Sequence, residues 1–151
     1  VGSEMCIRDS LSIDRILDSV YAHSAAEIVA TGTERPELLG TSHAKMLRII
    51  VRDTIASMSF VMAHAITGSN IGDNPIPDII TIDFNLPDGL SQTIFRAAVE
   101  TAVAAGTLAQ AWNGSESPMS DRYSRAYDMS LQAILRMVGR GVLPGAISPT
   151  A

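Results

Sequence analysis

The three histidines of this 151-residue chain are the side chains best suited to acid–base or metal chemistry. His23, His43 and His64 form neither an HxxxH nor an HExxH pattern, whereas a zinc site needs three or four ligands that converge. His64 lies in an apolar helical stretch, where a core or interface histidine is the simpler interpretation. We therefore predict no metal site and no catalytic histidine.

An acidic pattern near the middle of the chain is similar to part of a calcium-binding loop. Asp83, Asn85 and Asp88 give D-x-N-x-x-D-G. A calcium loop requires glycine at its sixth position and a bidentate glutamate at its twelfth. Here Gly89 is seventh and Ile94 is twelfth. The simpler interpretation is the polar face of a strand, followed by a turn.

No other pattern indicates a reaction or a cofactor. The segment GSNIG, residues 68–72, is not followed by Gly-Lys-Ser/Thr, and the chain contains no Gly-x-Ser-x-Gly. Asp53, Ser57 and His64 fall in one predicted helix, but their spacing alone does not create a site. We predict that the protein is not an enzyme.

The first ten residues, VGSEMCIRDS, resemble the peptide obtained when a sequencing adapter is translated. We therefore expect residues 1–10 to be foreign to the natural protein, and residues 11–151 to form a single helical domain. The only cysteine, Cys6, lies in this segment. Without it, disulfides and cysteine metal sites are excluded, which suits a reducing compartment.

Composition narrows the class of protein further. The formal net charge of −5 gives no general attraction to nucleic acid. The longest dense apolar run, Ile55–Ile66, is shorter than the roughly 18–20 residues that cross a bilayer. Apolar residues make up 46% of the chain but aromatic residues only 5%, so the core must be aliphatic. We expect a cytoplasmic protein that binds neither nucleic acid nor membrane.

One segment breaks an otherwise helical chain. Within Ile76–Leu90, apolar and polar residues alternate with the period of a strand that has one buried face. It is the only convincing strand in the sequence, and its backbone groups need a partner. We predict an assembly edge completed by another molecule, formed by Ile79, Ile80, Thr81, Ile82, Asp83, Phe84, Asn85 and Leu86.

The flanking regions predict four helices. Their expected ranges are 12–30, 41–67, 88–112 or 91–112, and 117–138. The candidate N-caps are Ser12 for the first helix, Thr41 or Ser42 for the second, Asp88 or Ser91 for the third and Ser117 for the fourth. Short connections favour an antiparallel four-helix bundle, with the strand between the second and third helices. The second half of helix two, IASMSFVMAHAI, is apolar almost all round. Such a helix is usually central in the fold or covered by a partner.

The fourth helix carries a polar face that is a candidate for partner binding. Its members are Arg125, Gln132, Arg136 and Arg140. A solvated surface is the simpler interpretation. The functional alternative is contact with an acidic protein partner, or a basic lining of an assembly.

Four segments carry a resemblance to a known class: SIDRILDSVYAHSA, IDFNLPDG, DRYSRAYDMSLQAILRMV and the terminal ISPTA. They are similar to small uncharacterised prophage structural proteins of gut Bacteroidetes. The resemblance implies a neck, connector or tail-completion role, as a homo-oligomer or with other structural proteins, in the cytoplasm or in a virion. The alternative is a ligand-binding or regulatory bundle with a pocket lined by Met46, Met58, Phe60, Met62 and Trp112.

Overall fold

The computed structural model describes residues 4–31, 38–113 and 118–139. These residues form four α-helices and a three-stranded antiparallel sheet. In chain order the elements are β1 (Glu4–Ser12), α1 (Ile13–Thr31), α2 (Ala44–Val61), β2 (Ile66–Ser69), β3 (Ile79–Pro87), α3 (Gln92–Ala111) and α4 (Met119–Gly139). The mainly helical class is confirmed, whereas the four-helix-bundle arrangement is not.

Two of the predicted N-caps are present, at Ser12 and Ser91. The prediction that Thr41 or Ser42 caps helix two is wrong, because both residues lie in a short 3-10 helix, Thr41–His43, and His43 directly precedes α2. The Ser12 hydroxyl accepts a hydrogen bond from the N–H of Arg15 at 3.2 Å. The Ser91 hydroxyl accepts one from the N–H of Ile94 at 3.3 Å. Each cap satisfies a donor that the first turn of its helix leaves free. Ser117 lies outside the described residues.

The third helix, α3, is at the centre of the fold. It contacts each of the other three helices, and every residue from 102 to 109 is buried. Small side chains allow this approach, most clearly at Gly106. A Cβ there would lie 2.8 Å from Cγ2 of Thr54 and 2.9 Å from Cδ1 of Tyr127. The absence of that carbon therefore sets the spacing between α2, α3 and α4.

The predicted strand exists, but it is not an edge. β3 lies between β1 and β2, and along its length every second residue is buried. It pairs with β1 from Ser12↔Ile79 to Glu4↔Pro87. The prediction that Ile79–Leu86 lacks a partner within the chain is wrong. Its premise, that this is the only strand, fails because two further strands form.

The first missed strand, β1, comes from the segment that we expected to be foreign to the protein. Its pattern does alternate: Ile7 and Leu11 face the core, while Cys6 and Arg8 are exposed. The strand runs into α1 without a loop, and the N–H of Ile13 donates to the carbonyl of Asp78 at 3.0 Å. Whether residues 1–10 belong to the natural protein stays a prediction.

The second missed strand, β2, replaces the expected end of helix two. The prediction of helix to Thr67 is wrong, because α2 ends at Val61 and a short 3-10 helix, Ala63–Ala65, follows. β2 then pairs with the middle of β3, with a bulge between Ile66 and Gly68. The tertiary contact with β3 overrides a helical period that continues through the local sequence.

Candidate functional site

The polar face of β3 is occupied by contacts within the sheet. The Arg8 guanidinium donates to both carboxylate oxygens of Asp83, at 2.7 and 3.2 Å, and it lowers the pKa of Asp83. The Cys6 thiol donates to Oδ1 of Asn85 at 3.0 Å. These residues of the calcium-like pattern therefore bind neighbours on β1, and Asp88 lies exposed in the following turn.

After β2 ends, one asparagine forms the hydrogen bonds to the next backbone groups of β3. Oδ1 of Asn70 accepts from the N–H of Thr81 at 2.9 Å, and its Nδ2 donates to the carbonyl of Ile79 at 3.2 Å. The backbone N–H of Asn70 donates to the carbonyl of Thr81 at 3.3 Å. Asn70 thus takes the place of further strand residues beside Ile79–Thr81, where we had expected another molecule.

The histidines take part in local contacts at three separate places. Nδ1 of His23 lies 2.8 Å from the carbonyl of Ser19. Nδ1 of His43 accepts from the N–H of Gly40 at 3.2 Å. His64 lies in the 3-10 helix beyond α2, so the expectation that it shares a helix with Asp53 and Ser57 is wrong. Within residues 4–31, 38–113 and 118–139, no three His, Cys, Asp or Glu side chains are grouped to hold a metal ion.

The polar face predicted on α4 is solvent-exposed. Arg125, Gln132 and Arg136 are all exposed and recur at helical spacing on one side of the helix. Arg140 lies outside the described residues. The exposure fits both interpretations, a solvated surface and a partner surface, so partner binding stays a prediction.

A buried polar cluster that the sequence did not indicate joins α1 to α4. The Tyr123 hydroxyl donates to Oε2 of Glu27 at 2.7 Å. Nη1 of Arg122 donates to Oε1 of the same carboxylate at 3.2 Å. Burial, followed by this hydrogen bond, raises the pKa of Tyr123 well above its ordinary value. Both oxygens of Glu27 are satisfied, so the cluster fastens two helices together.

Among the described residues, clefts between helices include a larger and a smaller one with partly polar linings. The larger, about 220 Å³, is bounded by α2, α3 and α4; its polar lining comes from Thr54, Ser57, Gln110, Ser124, Tyr127 and Asp128. The smaller, about 150 Å³, lies beside His23 and Tyr123. Neither is lined by the five residues predicted for a ligand pocket. Of those, Met58, Met62 and Trp112 are buried in the core.

The other two members of that set, Met46 and Phe60, belong to an apolar surface on α2. The core-facing side of this helix consists of Leu47, Val51, Thr54, Ile55 and Met58. On the opposite side, apolar residues recur every three to seven positions and are exposed to solvent. We call this surface the outer stripe, and its members are Met46, Ile49, Ala56 and Phe60.

The outer stripe places several large apolar side chains in solvent on one side of α2. The exposed fraction is 44% for Met46, 43% for Ile49 and 83% for Phe60. One charged residue, Asp53, interrupts the stripe, and it forms an ion pair with Arg52 at 3.0 Å. We predicted that helix two is either central in the fold or covered by a partner. The central position belongs to α3, so the first of these two predictions is wrong.

Among the described residues, no helix combines the length and the apolar character that crossing a membrane requires. No protein-family model matches the chain, and no curated protein or solved structure matches it significantly.

Proposed function

We propose that this chain is a non-enzymatic structural protein that assembles with a second copy of itself through the outer stripe of α2. The observation that carries the proposal is the exposure of Phe60, 83% of whose surface faces solvent on the side of the helix away from the core. Burying one such side chain contributes about 1.5–3 kcal/mol. A two-fold interface would bury it twice.

The geometry of the stripe supports a copy of the same chain as the partner. Ile49 and Phe60 are separated by about 16 Å along the helix axis. When two such helices pair in antiparallel orientation, Ile49 of each chain meets Phe60 of the other. The same patch then serves both subunits, as in most soluble homodimers.

Charge does not oppose this arrangement locally. Asp53 lies between the apolar members of the stripe, and Arg52 of the same chain compensates its charge at 3.0 Å. The two copies therefore need not bring uncompensated carboxylates together, in spite of the net charge of −5 on each chain.

Light scattering coupled to size exclusion tests the proposal. The wild-type chain is expected to be a dimer at micromolar concentration. Phe60→Glu should weaken the dimer at least tenfold, because it introduces a charge into an apolar contact. Val29→Glu is the matched control, since Val29 is also exposed but lies on α1. This control should leave the dimer unchanged.

Two results would contradict the proposal. One is a wild-type chain that stays monomeric at millimolar concentration. The other is a dimer that Phe60→Glu and Val29→Glu affect equally, because the contact would then lie elsewhere. The circular dichroism of all three proteins should coincide, which excludes unfolding as the cause of dissociation.

At a finer level, we propose a neck, connector or tail-completion component of a phage or prophage particle, working in the cytoplasm or in the virion. The support is the resemblance of four segments to such proteins, together with an exposed apolar surface suited to assembly. In such a component, the four helices would act as a bundle-like support. Cryo-electron microscopy of a particle from the source organism, with this chain absent from every class of density, would sink this level of the proposal.

A second candidate function is the binding of a small polar ligand, favoured by the cleft between α2, α3 and α4. Its hydroxyl groups and the Asp128 carboxylate suit a ligand that carries an amine or several hydroxyls. Titration of a polyamine or a monosaccharide, followed by amide chemical shifts around Ser57 and Ser124, would distinguish it from the assembly role.

A further inference from the structure

The smaller cleft lies between α1 and α4, over the surface of α3. Its floor is formed by residues of α3, namely Thr101, Ala104, Ala105 and Leu108. Its two walls are formed by Ser19 and His23 of α1, and by Tyr123, Ala126 and Ser130 of α4. None of these residues belongs to α2, so the cleft is separate from the outer stripe and from the larger cleft.

The fold itself keeps this cleft open. The Tyr123 hydroxyl donates to Oε2 of Glu27 at 2.7 Å, and this bond links the two walls at one place. Between the walls, Ala104 and Ala105 of the floor are buried and offer only a methyl group each. Because these side chains are small, space remains between α1 and α4 although both pack on α3.

The volume of the cleft restricts the size of a ligand. It is about 150 Å³, whereas sites for drug-sized molecules occupy roughly 300–1,000 Å³. An apolar cavity of about 150 Å³ is large enough to hold a benzene molecule. The cleft can therefore enclose one six-membered ring but not a nucleotide or a longer peptide.

The aromatic side chains beside the cleft favour a planar ring. Tyr123 packs edge-to-face against His23, with ring centroids 6.2 Å apart, and its ring lies 5.6 Å from that of Trp112. Burial, followed by the hydrogen bond to Glu27, raises the pKa of Tyr123, so Tyr123 presents an uncharged ring to the cleft. A further ring there would extend this group of aromatic contacts.

His23 supplies a hydrogen-bond acceptor at the rim. Its Nδ1 lies 2.8 Å from the carbonyl of Ser19, and a carbonyl can only accept. In the neutral imidazole, Nδ1 therefore carries the proton and Nε2 is left as an acceptor. His23 is exposed, so a hydroxyl group could reach it from the open side of the cleft while an attached ring is enclosed.

We propose that this cleft binds a monocyclic phenol, whose ring lies over Ala104 and Ala105 and whose hydroxyl donates to Nε2 of His23. Asp, Glu, Lys and Arg are absent from the lining, which disfavours a charged ligand. The inference does not depend on the proposed assembly, because the site consists of α1, α3 and α4 only.

Titration of the full chain with phenol, followed by amide chemical shifts, tests the inference. Shifts should saturate at residues 101–108 and around His23 and Ser130, with a dissociation constant of about 1 mM or tighter. Toluene, which has the same shape but no hydroxyl, is the reference ligand. In His23→Leu, the affinity for phenol relative to toluene should fall about fivefold, because the acceptor is lost.

Filling the cleft provides a second test. Ala126→Leu adds volume to one wall and should weaken phenol binding at least about tenfold. Ala133→Leu is the matched control, because Ala133 lies two turns later on the same side of α4, is also half-buried and does not line the cleft. This control should leave the affinity unchanged.

Several results would overturn the inference. Shifts that do not saturate would show that there is no site, and saturating shifts beside Ser57 and Ser124 would assign phenol to the larger cleft. Equal weakening by Ala126→Leu and Ala133→Leu would place phenol elsewhere, and an unchanged ratio in His23→Leu would remove the proposed acceptor. If Ala126→Leu does not fold, nuclear Overhauser contacts from phenol to the methyl groups of Leu108 in the wild type decide, and their absence refutes the site.

Discussion

Glu27 and Asp9 are both buried carboxylates, with exposed fractions of 8% and 1%, but their surroundings differ in kind. Each oxygen of Glu27 accepts a hydrogen bond, one from Tyr123 and one from Arg122. At Asp9, one oxygen is engaged and the other has no donor among the described residues. The two carboxylates are therefore buried to a similar extent, but only Glu27 has a hydrogen-bond donor for each of its oxygens.

The difference lies in the number and origin of the hydrogen-bond partners that surround each buried carboxylate. The partners of Glu27 come from α4, nearly a hundred residues later in the chain, and one of them sits in a core position beside Trp112. Such a cluster requires several residues that fit one another. Asp9 depends on Arg96, whose Nη1 lies 3.5 Å from Oδ1, on the N–H of its neighbour Ser10 and on the Gln92 side chain. Complementary side chains therefore hold α1 to α4, whereas backbone pairing holds β1 to β3.

The largest expected effect comes from breaking the satisfied cluster. Glu27→Ala should lower the free energy of unfolding by about 2–3 kcal/mol, because it leaves the buried Tyr123 hydroxyl without its acceptor. Urea denaturation measures the loss. Asp18→Ala, an exposed carboxylate on the same helix, is the matched control. Equal losses in the two variants would show that Glu27 has no special role.

A smaller effect should accompany the titration of Asp9. Burial raises the pKa of Asp9 above its ordinary value of 3.8, while the N–H of Ser10, the charge of Arg96 and a hydrogen bond with the Gln92 side chain offset part of that increase. The other charged groups facing it are Glu100 on α3 and Arg15 on α1. Because the folded state holds the proton more tightly than the unfolded state, stability falls as pH rises through 3.8 towards the raised value.

Asp9→Asn removes this titration and is the way to measure it. Above that window, the asparagine variant should be more stable than the wild type by about 1 kcal/mol, and the gap should close as pH falls to about 3. Urea denaturation at several pH values gives both curves. A gap that does not change with pH would contradict the assignment to Asp9.

The smallest effect is expected on the exposed face of the same strand. Arg8 and Asp83 form an ion pair at 2.7 Å, but both side chains reach solvent, where salt and water screen the attraction. Arg8→Ala should leave the urea midpoint unchanged in physiological salt. It should also return the lowered pKa of Asp83 towards its ordinary value in an NMR titration. A large loss of stability would contradict this prediction and show that the ion pair contributes to the fold as the Glu27 cluster does.

Local patterns were sufficient for much of the fold. Apolar periodicity located four helices, serine caps marked the starts of α1 and α3, and alternation from Ile80 to Leu86 located β3 with its buried face. These features depend on residues within one or two turns of each other. The same reasoning failed for β2, where helical periodicity continues through Ala63–Thr67 and only pairing with β3 decides the conformation.

The candidate surfaces were predicted less completely, for a physical reason. The apolar character of helix two was visible in the sequence, but which side of it faces solvent depends on the packing of α3. The cluster of Glu27 with Tyr123 joins residues 96 positions apart, and no local pattern connects them. The sequence predicts no partner for β3 because residues 1–10 resemble a foreign peptide and the residues of β2 continue a helical pattern.

The closure of β3 by Asn70 and the bulged, four-residue β2 has a consequence for polymerisation. An added strand could extend this sheet over a useful length only beyond β1, because the other border is short and irregular. Growth from one border alone ends when two molecules meet there. If chains of this protein join through their sheets alone, without the contact proposed for α2, the product is a closed pair and not a fibre.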